Sequence, residues 1–443
     1  MIRQRYAHPS FPLVPLGSLT TLIQYGTSIR STSEPTGVPI LRIPNLQADG
    51  WDLSDLKYQE LSAEELATYR LEKGDILFNR TNGSRELVGK SEVFDFEGDW
   101  AFASYLIRLR VDRERVMPEF VTAFLNTLWG RRQVEHVSRQ ILMSNINAQE
   151  IRALQIPLPN LPTQKALLNT LDGARRARTA LRADAEALLA SIDPFVLGRL
   201  GIVLPPAKDA VPFAVRLADV TTRLDPAFYS ARFKVLREKI ANGLQPAPSV
   251  RSLCDFIRSG FAAGANRQTD DATLGIPHIR PLNITNDSEL RFDNTKMVPR
   301  ADVSDEDIIR RGEVLFNNTN STAWVGKSVV FDVARECACS NHITRLRLAR
   351  GRGNPYFLAA VLNALRRVGF FGLLATNFNN QAGVNTETLE NVLLPWPDTG
   401  AQLEIANEVG RRRAEARRMR AEADKLWQET QTNFEKRLLG PRT

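Results

Sequence analysis

The chain has 443 residues, too many for a single hydrophobic core, so two or more domains are expected. Its 43% hydrophobic and 24% charged residues are those of an ordinary soluble globular protein. Lys and Arg outnumber Asp and Glu by 58 to 50, and the resulting charge of +8 suits a polyanionic partner without singling one out. The three cysteines, Cys254, Cys337 and Cys339, are too few and too oddly spaced for a secreted disulfide framework or a four-ligand zinc site. Reduced, buried or partly buried thiols are expected. The N-terminal segment has no apolar signal core and no run approaches 18 apolar residues, which makes a membrane span unexpected and the cytoplasm the default location.

In chain order, short strand-like runs come first, at Ile76–Phe78, Ser91–Phe94 and Tyr105–Val111, with turn residues between them. A helix follows over Pro118–Trp129, with Pro at its first turn, where the missing N–H is harmless. A polar stretch, Ser144-Asn-Ile-Asn147, then leads to the Pro-bounded strand Ile156-Pro-Leu-Pro159. Beyond it, Leu167, Leu171, Ala174, Arg178, Leu181, Ala185, Leu188 and Ile192 fall on a four-three heptad seam, which predicts a long helix. Residues 201–250, including Arg223-Leu-Asp-Pro-Ala-Phe-Tyr229, form a connector with no earlier counterpart.

The rest of the chain repeats the first half. Gly74-Asp-Ile-Leu-Phe-Asn-Arg-Thr-Asn82 returns as Gly312-Glu-Val-Leu-Phe-Asn-Asn-Thr-Asn320, an offset of 238 residues. Val88-Gly-Lys-Ser91 returns as Val325-Gly-Lys-Ser328 at 237, and Phe94-Asp95 as Phe331-Asp332. Pro39 and Arg42 fall on Pro277 and Arg280, Ile156–Pro159 on Leu394–Pro397, and Gln164 on Gln402. The helix Pro355–Val368 and the polar stretch Asn377–Asn385 follow in the same order as before. The second seam, Ile405, Val409, Arg412, Ala416, Met419, Ala423 and Leu426, is the first displaced by 238. Each seam carries an arginine and small alanines, so neither helix should be very stable alone. Each is expected to pack antiparallel on the other, the competing possibility being two separate amphipathic helices.

These readings give an α+β fold: two tandem domains of mixed sheets with helices, each followed by a long helix, the two helices pairing as an antiparallel coiled coil. The expected segments are 1–160, 161–200, 201–398 (connector included) and 399–443.

Catalytic motifs do not survive comparison of the two copies. Gly83 to Ser91 resembles a phosphate-binding loop but has five residues before its Gly-Lys-Ser, where the loop needs four, and the second copy lacks the leading Gly. Val-Gly-Lys-Ser is better read as a turn entering a strand, leaving Lys90 and Lys327 exposed for phosphate. Asn354-Pro-Tyr-Phe357 has part of an amino-methyltransferase motif but reads as a helix start. His8, His136, His278 and His342 do not repeat. The Arg-rich stretch 411–420 is interleaved with Glu and reads as a solvated or subunit-docking face. Neither metal nor cofactor is called for, and no enzyme activity of the chain itself is expected.

The tandem order, the repeated segments, the Pro-bounded domain ends and the Gln164 and Gln402 helix starts together resemble the specificity subunits of type I restriction–modification systems. The resemblance covers nearly the whole chain. It implies a non-catalytic reader of double-stranded DNA, with one half of a bipartite target read by each domain. It also implies two docked methyltransferase subunits, a separate motor-nuclease subunit, and paired helices that set the spacing. About 30 helical residues at about 1.5 Å each make a spacer of roughly 45 Å, a little over one turn of B-DNA. Related phage-defence or modification-only systems, and a duplicated scaffold without DNA binding, remain alternatives.

The base-reading candidates are polar residues of loops present in both copies. In the first copy they are Arg42, Asn45, Arg80, Asn82, Arg85 and Asn145; in the second, Arg280, Asn283, Asn318, Asn320, Asn379, Asn380 and Gln381. Arg suits guanine and Asn or Gln suits adenine, whereas Lys90 and Lys327 suit phosphate. Each Asn could equally supply turn geometry, and for Asn82 and Asn320 that reading is favoured.

Overall fold

The computed structural model describes residues 9–47, 50–82, 88–137, 139–140, 144–203, 214–216, 218, 220, 223–271, 273–378 and 381–440. The chain divides into two compact units, one comprising Met1–Leu181 and Ala421–Thr443 and the other Arg182–Arg420. Both divisions fall inside long helices, Leu161–Ala190 and Thr399–Leu439. Each unit is therefore one globular domain plus a piece of each helix. The segments expected from sequence describe chain order; the units follow packing instead.

In the first unit a four-stranded antiparallel sheet runs in the order Thr20–Tyr25, Leu106–Val111, Ile76–Asn79, Ser91–Val93. A second sheet places Val38–Leu41 between Lys57–Gln59 and Ala101–Phe102, the latter parallel to it. A third, small sheet places Ser144–Asn145 between Thr81–Asn82 and Arg139–Gln140. The second unit repeats this plan. Its four strands are Cys254–Ser259, Ile343–Leu348, Val314–Asn317 and Ser328–Val330. Ile276–Ile279 lies between Lys296–Val298 and Ala338–Cys339, the latter again parallel. Gln381–Gly383 lies between Thr319–Asn320 and Thr376–Phe378. Even the register is kept: Ile107 faces Phe78 in the first unit, as Thr344 faces Phe316 in the second.

The repeated sequence motifs make this plan. Gly74 and Gly312 both adopt a φ of +87°, which favours glycine, at the turn entering the central strand. The next residue is a buried acid that neutralises two arginines on the neighbouring strand. Asp75 accepts from Arg110 Nε at 2.7 Å and lies 3.5 Å from Arg108 Nη1. Glu313 accepts from Arg345 Nε at 2.8 Å and from Arg347 Nη2 at 2.6 Å. After the sheet, Asn126 and Asn363 each pin the adjoining strand by exchanging two hydrogen bonds with the backbone of Ser91 and Ser328.

The long helices start alike. Asn160 Oδ1 accepts the Thr163 N–H and Asp398 Oδ1 the Ala401 N–H, both at 3.0 Å, so each first turn is capped by a side chain. Within each unit the two helix pieces run antiparallel. In the first unit Arg178 lies 3.7 Å from Asp424, and both Arg175 and Arg178 stand over the Trp427 ring. Leu167, Leu168, Leu171, Phe434, Leu438 and Leu439 join one hydrophobic core. In the second unit Glu186 pairs with Arg420, Ser191 with Arg412 and Arg199 with Glu404. The helices thus form the expected antiparallel coil, and its arginines have partners: Arg412 is held by Ser191 and Glu408 and lies over Phe195.

The connector segment makes a clasp within the second unit. Arg223 meets Asp225 through two bonds of 2.7 and 2.8 Å, stacks on Phe228 and donates to the Ala375 carbonyl.

Candidate nucleic-acid interface

Loops that leave the central strands position the candidate residues. Val88-Gly-Lys-Ser and its copy form turns entering strands, as expected. Gly89 and Gly326 have φ of +87° and +93°, and a Cβ at either would sit within 3 Å of Val134 or Phe371. The motif is therefore built for a tight turn. Asn354 caps a helix through the Tyr356 and Phe357 N–H groups, which accounts for the methyltransferase-like tetrapeptide. Among the described residues no group of three or more His, Cys, Asp or Glu side chains could hold a metal ion.

The side chains at the candidate positions fall into two groups. The first group is enclosed by its own domain. Asn45, 1% exposed, accepts the Arg42 N–H and donates to the Asp52 carbonyl. Asn283, 3% exposed, accepts the Arg280 N–H and donates to the Arg291 carbonyl and the Thr295 hydroxyl. Both amides are consumed in holding a short 3-10 turn. Arg42 is drawn onto Asp55 at 3.0 Å, and Arg280 donates to the Asn294 carbonyl. Asn318 is also buried, donating to Ser259, Asn341 and Thr344 while accepting from Thr319.

Lys327 corrects an expectation. It is not exposed: its ammonium donates to the carbonyls of Ile284 at 2.7 Å and Pro281 at 3.3 Å and lies over the Trp324 ring. Burial, with Arg366 nearby, pulls its pKa below the usual lysine value. Nothing in Val-Gly-Lys-Ser reveals that a loop 43 residues earlier supplies those carbonyls. Lys90, its counterpart, is half-buried.

The second group faces outward. Arg80 is half-buried, with Nε donating to the Ser104 carbonyl at 2.8 Å, Nη1 donating to Asn145 Oδ1 at 3.3 Å and its guanidinium 5.2 Å from the Tyr25 ring centre. Asn145 and Gln381 are exposed, each on the middle strand of its small sheet, and Asn320 is half-buried, accepting the Ser321 N–H. Arg85, Asn379 and Asn380 lie outside the described residues, as does the side chain of Asn82. Three aromatic residues that were not singled out from sequence share these surfaces. Tyr25 is 40% exposed, Tyr105 54% and Phe378 49%. The signal for Tyr105 was available: the second copy has His342 at its offset position.

The Arg-rich stretch of the second long helix is largely neutralised in place. Glu408 takes Arg411 and Arg412, which hold its carboxyl at about 2, and Glu415 takes Arg418. Arg417 and Arg420 pair with Glu289 and Asp287.

Two mixed-sheet domains of one plan, joined to an antiparallel helix pair, define a duplicated α+β protein. Residues 13–187 match the family model for the type I restriction modification DNA specificity domain. A putative type I restriction enzyme MjaX specificity subunit from Methanocaldococcus jannaschii is 28% identical over 159 residues, 35% of this chain and 37% of that protein. The EcoKI specificity subunit of Escherichia coli K12 is 27% identical over 168 residues, 37% of this chain and 36% of that protein. The matched segment thus spans little more than a third of either relative. A solved chain from work on complex assembly and conformational transition of the type I R-M system shares the fold over 98% of both chains. Its TM-score is 0.57, at 16% identity. No helix among the described residues is long and apolar enough to cross a membrane.

Proposed function

We propose that this chain is the non-catalytic DNA-reading subunit of a type I restriction–modification assembly, each unit reading one half of a bipartite duplex target. The observation that carries this reading is the duplication of the domain plan combined with divergence of the exposed side chains. Sheet order and register are the same in both units, while the side chains they carry diverge at Tyr25 and Ser259, Arg80 and Asn318, and Asn145 and Gly383. One framework carrying two different faces is what two unlike half-sites require.

In the first unit the reading face comprises Arg80 and Asn145. In the second it comprises Asn320 and Gln381, with Phe378 on the same small sheet. Lys90, Arg42 and Arg280 contact phosphate or hold loops, whereas Asn45, Asn283, Asn318 and Lys327 shape the domains from inside. The helix pair spaces the domains and offers the docking surface for two methyltransferase subunits, and a motor-nuclease subunit joins that complex. Catalysis belongs to those partners.

Co-expression with the cognate methyltransferase tests the assembly: a complex of two methyltransferases per chain is expected, and a chain that stays alone counts against it. Duplex binding by that complex should weaken steeply with salt, as phosphate contacts release counterions. Flat or absent binding would favour a duplicated protein scaffold.

A further inference from the structure

The Arg80 side chain is held at three points, and an asparagine, Asn318, stands at its position in the second domain. Three contacts fix the guanidinium: Nε on the Ser104 carbonyl, Nη1 on Asn145 Oδ1, and the face on Tyr25. Tyr25 is itself anchored, its hydroxyl accepting the Ala148 N–H at 3.2 Å. A guanidinium has five N–H donors in one plane. These contacts occupy the Nε–H and one Nη1–H, and Nη2 has no partner among the described residues. One N–H on Nη1 and two on Nη2 are thus left to present a two-donor fork. That fork matches the O6 and N7 acceptors of guanine in the major groove. An arginine already immobilised loses less side-chain freedom on binding than one that must be ordered by DNA.

The second unit changes every side chain of this arrangement and keeps only the backbone acceptor, Asn318 donating to the Asn341 carbonyl as Arg80 does to that of Ser104. Backbone pairing makes the correspondence: Tyr25 faces Ile107 as Ser259 faces Thr344, and Asn145 faces Thr81 as Gly383 faces Thr319. Arg80 donates its N–H to the Tyr105 carbonyl as Asn318 does to that of His342. Arg80, Tyr25 and Asn145 are thus replaced by Asn318, Ser259 and Gly383. The result is a buried knot in which Asn318 donates to Ser259 and Thr344. One changed residue would be drift; here the arginine and both side-chain supports change together.

We infer that Arg80, presented by Tyr25, Asn145 and the Ser104 carbonyl, reads one guanine in the first half-site, and that the second domain has no equivalent base contact at this position. The inference rests on the proposed function. The test is selection of duplexes from a randomised pool by the complex with the cognate methyltransferase, using wild type, Arg80→Ala, Arg80→Lys and Asn145→Ala. Wild type should select a bipartite site with a fixed G·C pair in one half. Arg80→Ala should leave that pair degenerate, with discrimination there falling by roughly tenfold to a hundredfold, while the other half-site is unchanged. Arg80→Lys, which keeps the charge without the planar fork, should lose most of the discrimination at that pair and keep overall binding. Asn145→Ala should weaken it partially. Variants that select the wild-type site with every position intact overturn the Arg80 assignment alone. Degeneracy spread over both halves also overturns it. Failure of wild type to select any site overturns the proposed function beneath it. Should Arg80→Ala not assemble, Arg80→Lys decides between these outcomes.

Discussion

Gln164 and Met117 are joined by a 2.8 Å hydrogen bond in which the buried glutamine side chain accepts the backbone N–H at the start of a domain helix. Its amide nitrogen donates to the carbonyls of Arg115 and Pro159. Gln402 repeats the arrangement, accepting the Asn354 N–H at 3.0 Å and donating to the Pro397 carbonyl. The repeated glutamines are therefore rivets between a globular domain and the helix that follows it. Substituting either by Leu or Ala strands buried backbone groups, which costs about 1–3 kcal/mol for each group left unsatisfied. Chemical unfolding of Gln164→Leu and Gln402→Leu should show destabilisation in that range. Wild-type stability in both would mean the glutamines are not structural.

The acid at the head of each central strand should matter more. Glu313 is fully buried against Arg345 and Arg347, and Asp75 is 1% exposed against Arg108 and Arg110. Removing one partner of a buried ion pair leaves an uncompensated charge and costs about 3–5 kcal/mol. Glu313→Ala and Asp75→Ala are expected to unfold at clearly lower denaturant concentration. Losses under about 1 kcal/mol, the range of exposed pairs, would contradict this account.

His278 makes the second unit sensitive to acid. The ring is 2% exposed and packs on Phe261, and burial lowers its pKa below the ordinary 6.5 despite weak contacts to the Phe261 and Cys339 backbone. Arg280 adds repulsion in the same direction. A depressed folded pKa means that the unfolded chain binds the proton first. The contribution to stability is whole above 6.5 and is lost as pH falls through the lower folded value. Unfolding free energy measured from pH 7.5 to 5 should decline below 6.5, and His278→Phe should reduce that decline. An identical pH profile in the variant would refute the role of the histidine.

The cysteines should be inert in the folded protein. Burial pushes Cys254 and Cys339 up to about 12 and Cys337 to about 11, so thiolate is scarce near neutral pH. A chromogenic disulfide reagent should label none of the three rapidly until denaturant is added. Fast labelling in native buffer would show otherwise.

The duplication, the heptad seams and the order of elements were legible because they are periodic, and periodicity survives in a sequence without any knowledge of contacts. Two features were not legible, for one physical reason. Asn45, Asn283 and Lys327 look like surface polar residues and are buried. Whether such a side chain faces water depends on which distant carbonyls the fold brings to it, and for Lys327 these are Pro281 and Ile284. Likewise nothing near Arg80 in sequence announces Tyr25 or Asn145; strand pairing brings them together. The division of the helices between units was hidden as well, since the seam fixes which faces meet and not which domain each segment joins.

The central claim is that two domains of one plan read two different DNA half-sites at a spacing set by the helices. Mapping every methylated position in DNA modified by the complex with its cognate methyltransferase tests this most directly. The account predicts modified bases confined to one bipartite sequence, two unlike specific blocks separated by a fixed number of unspecified base pairs. Modification at a single continuous motif, or none dependent on this chain, would contradict it.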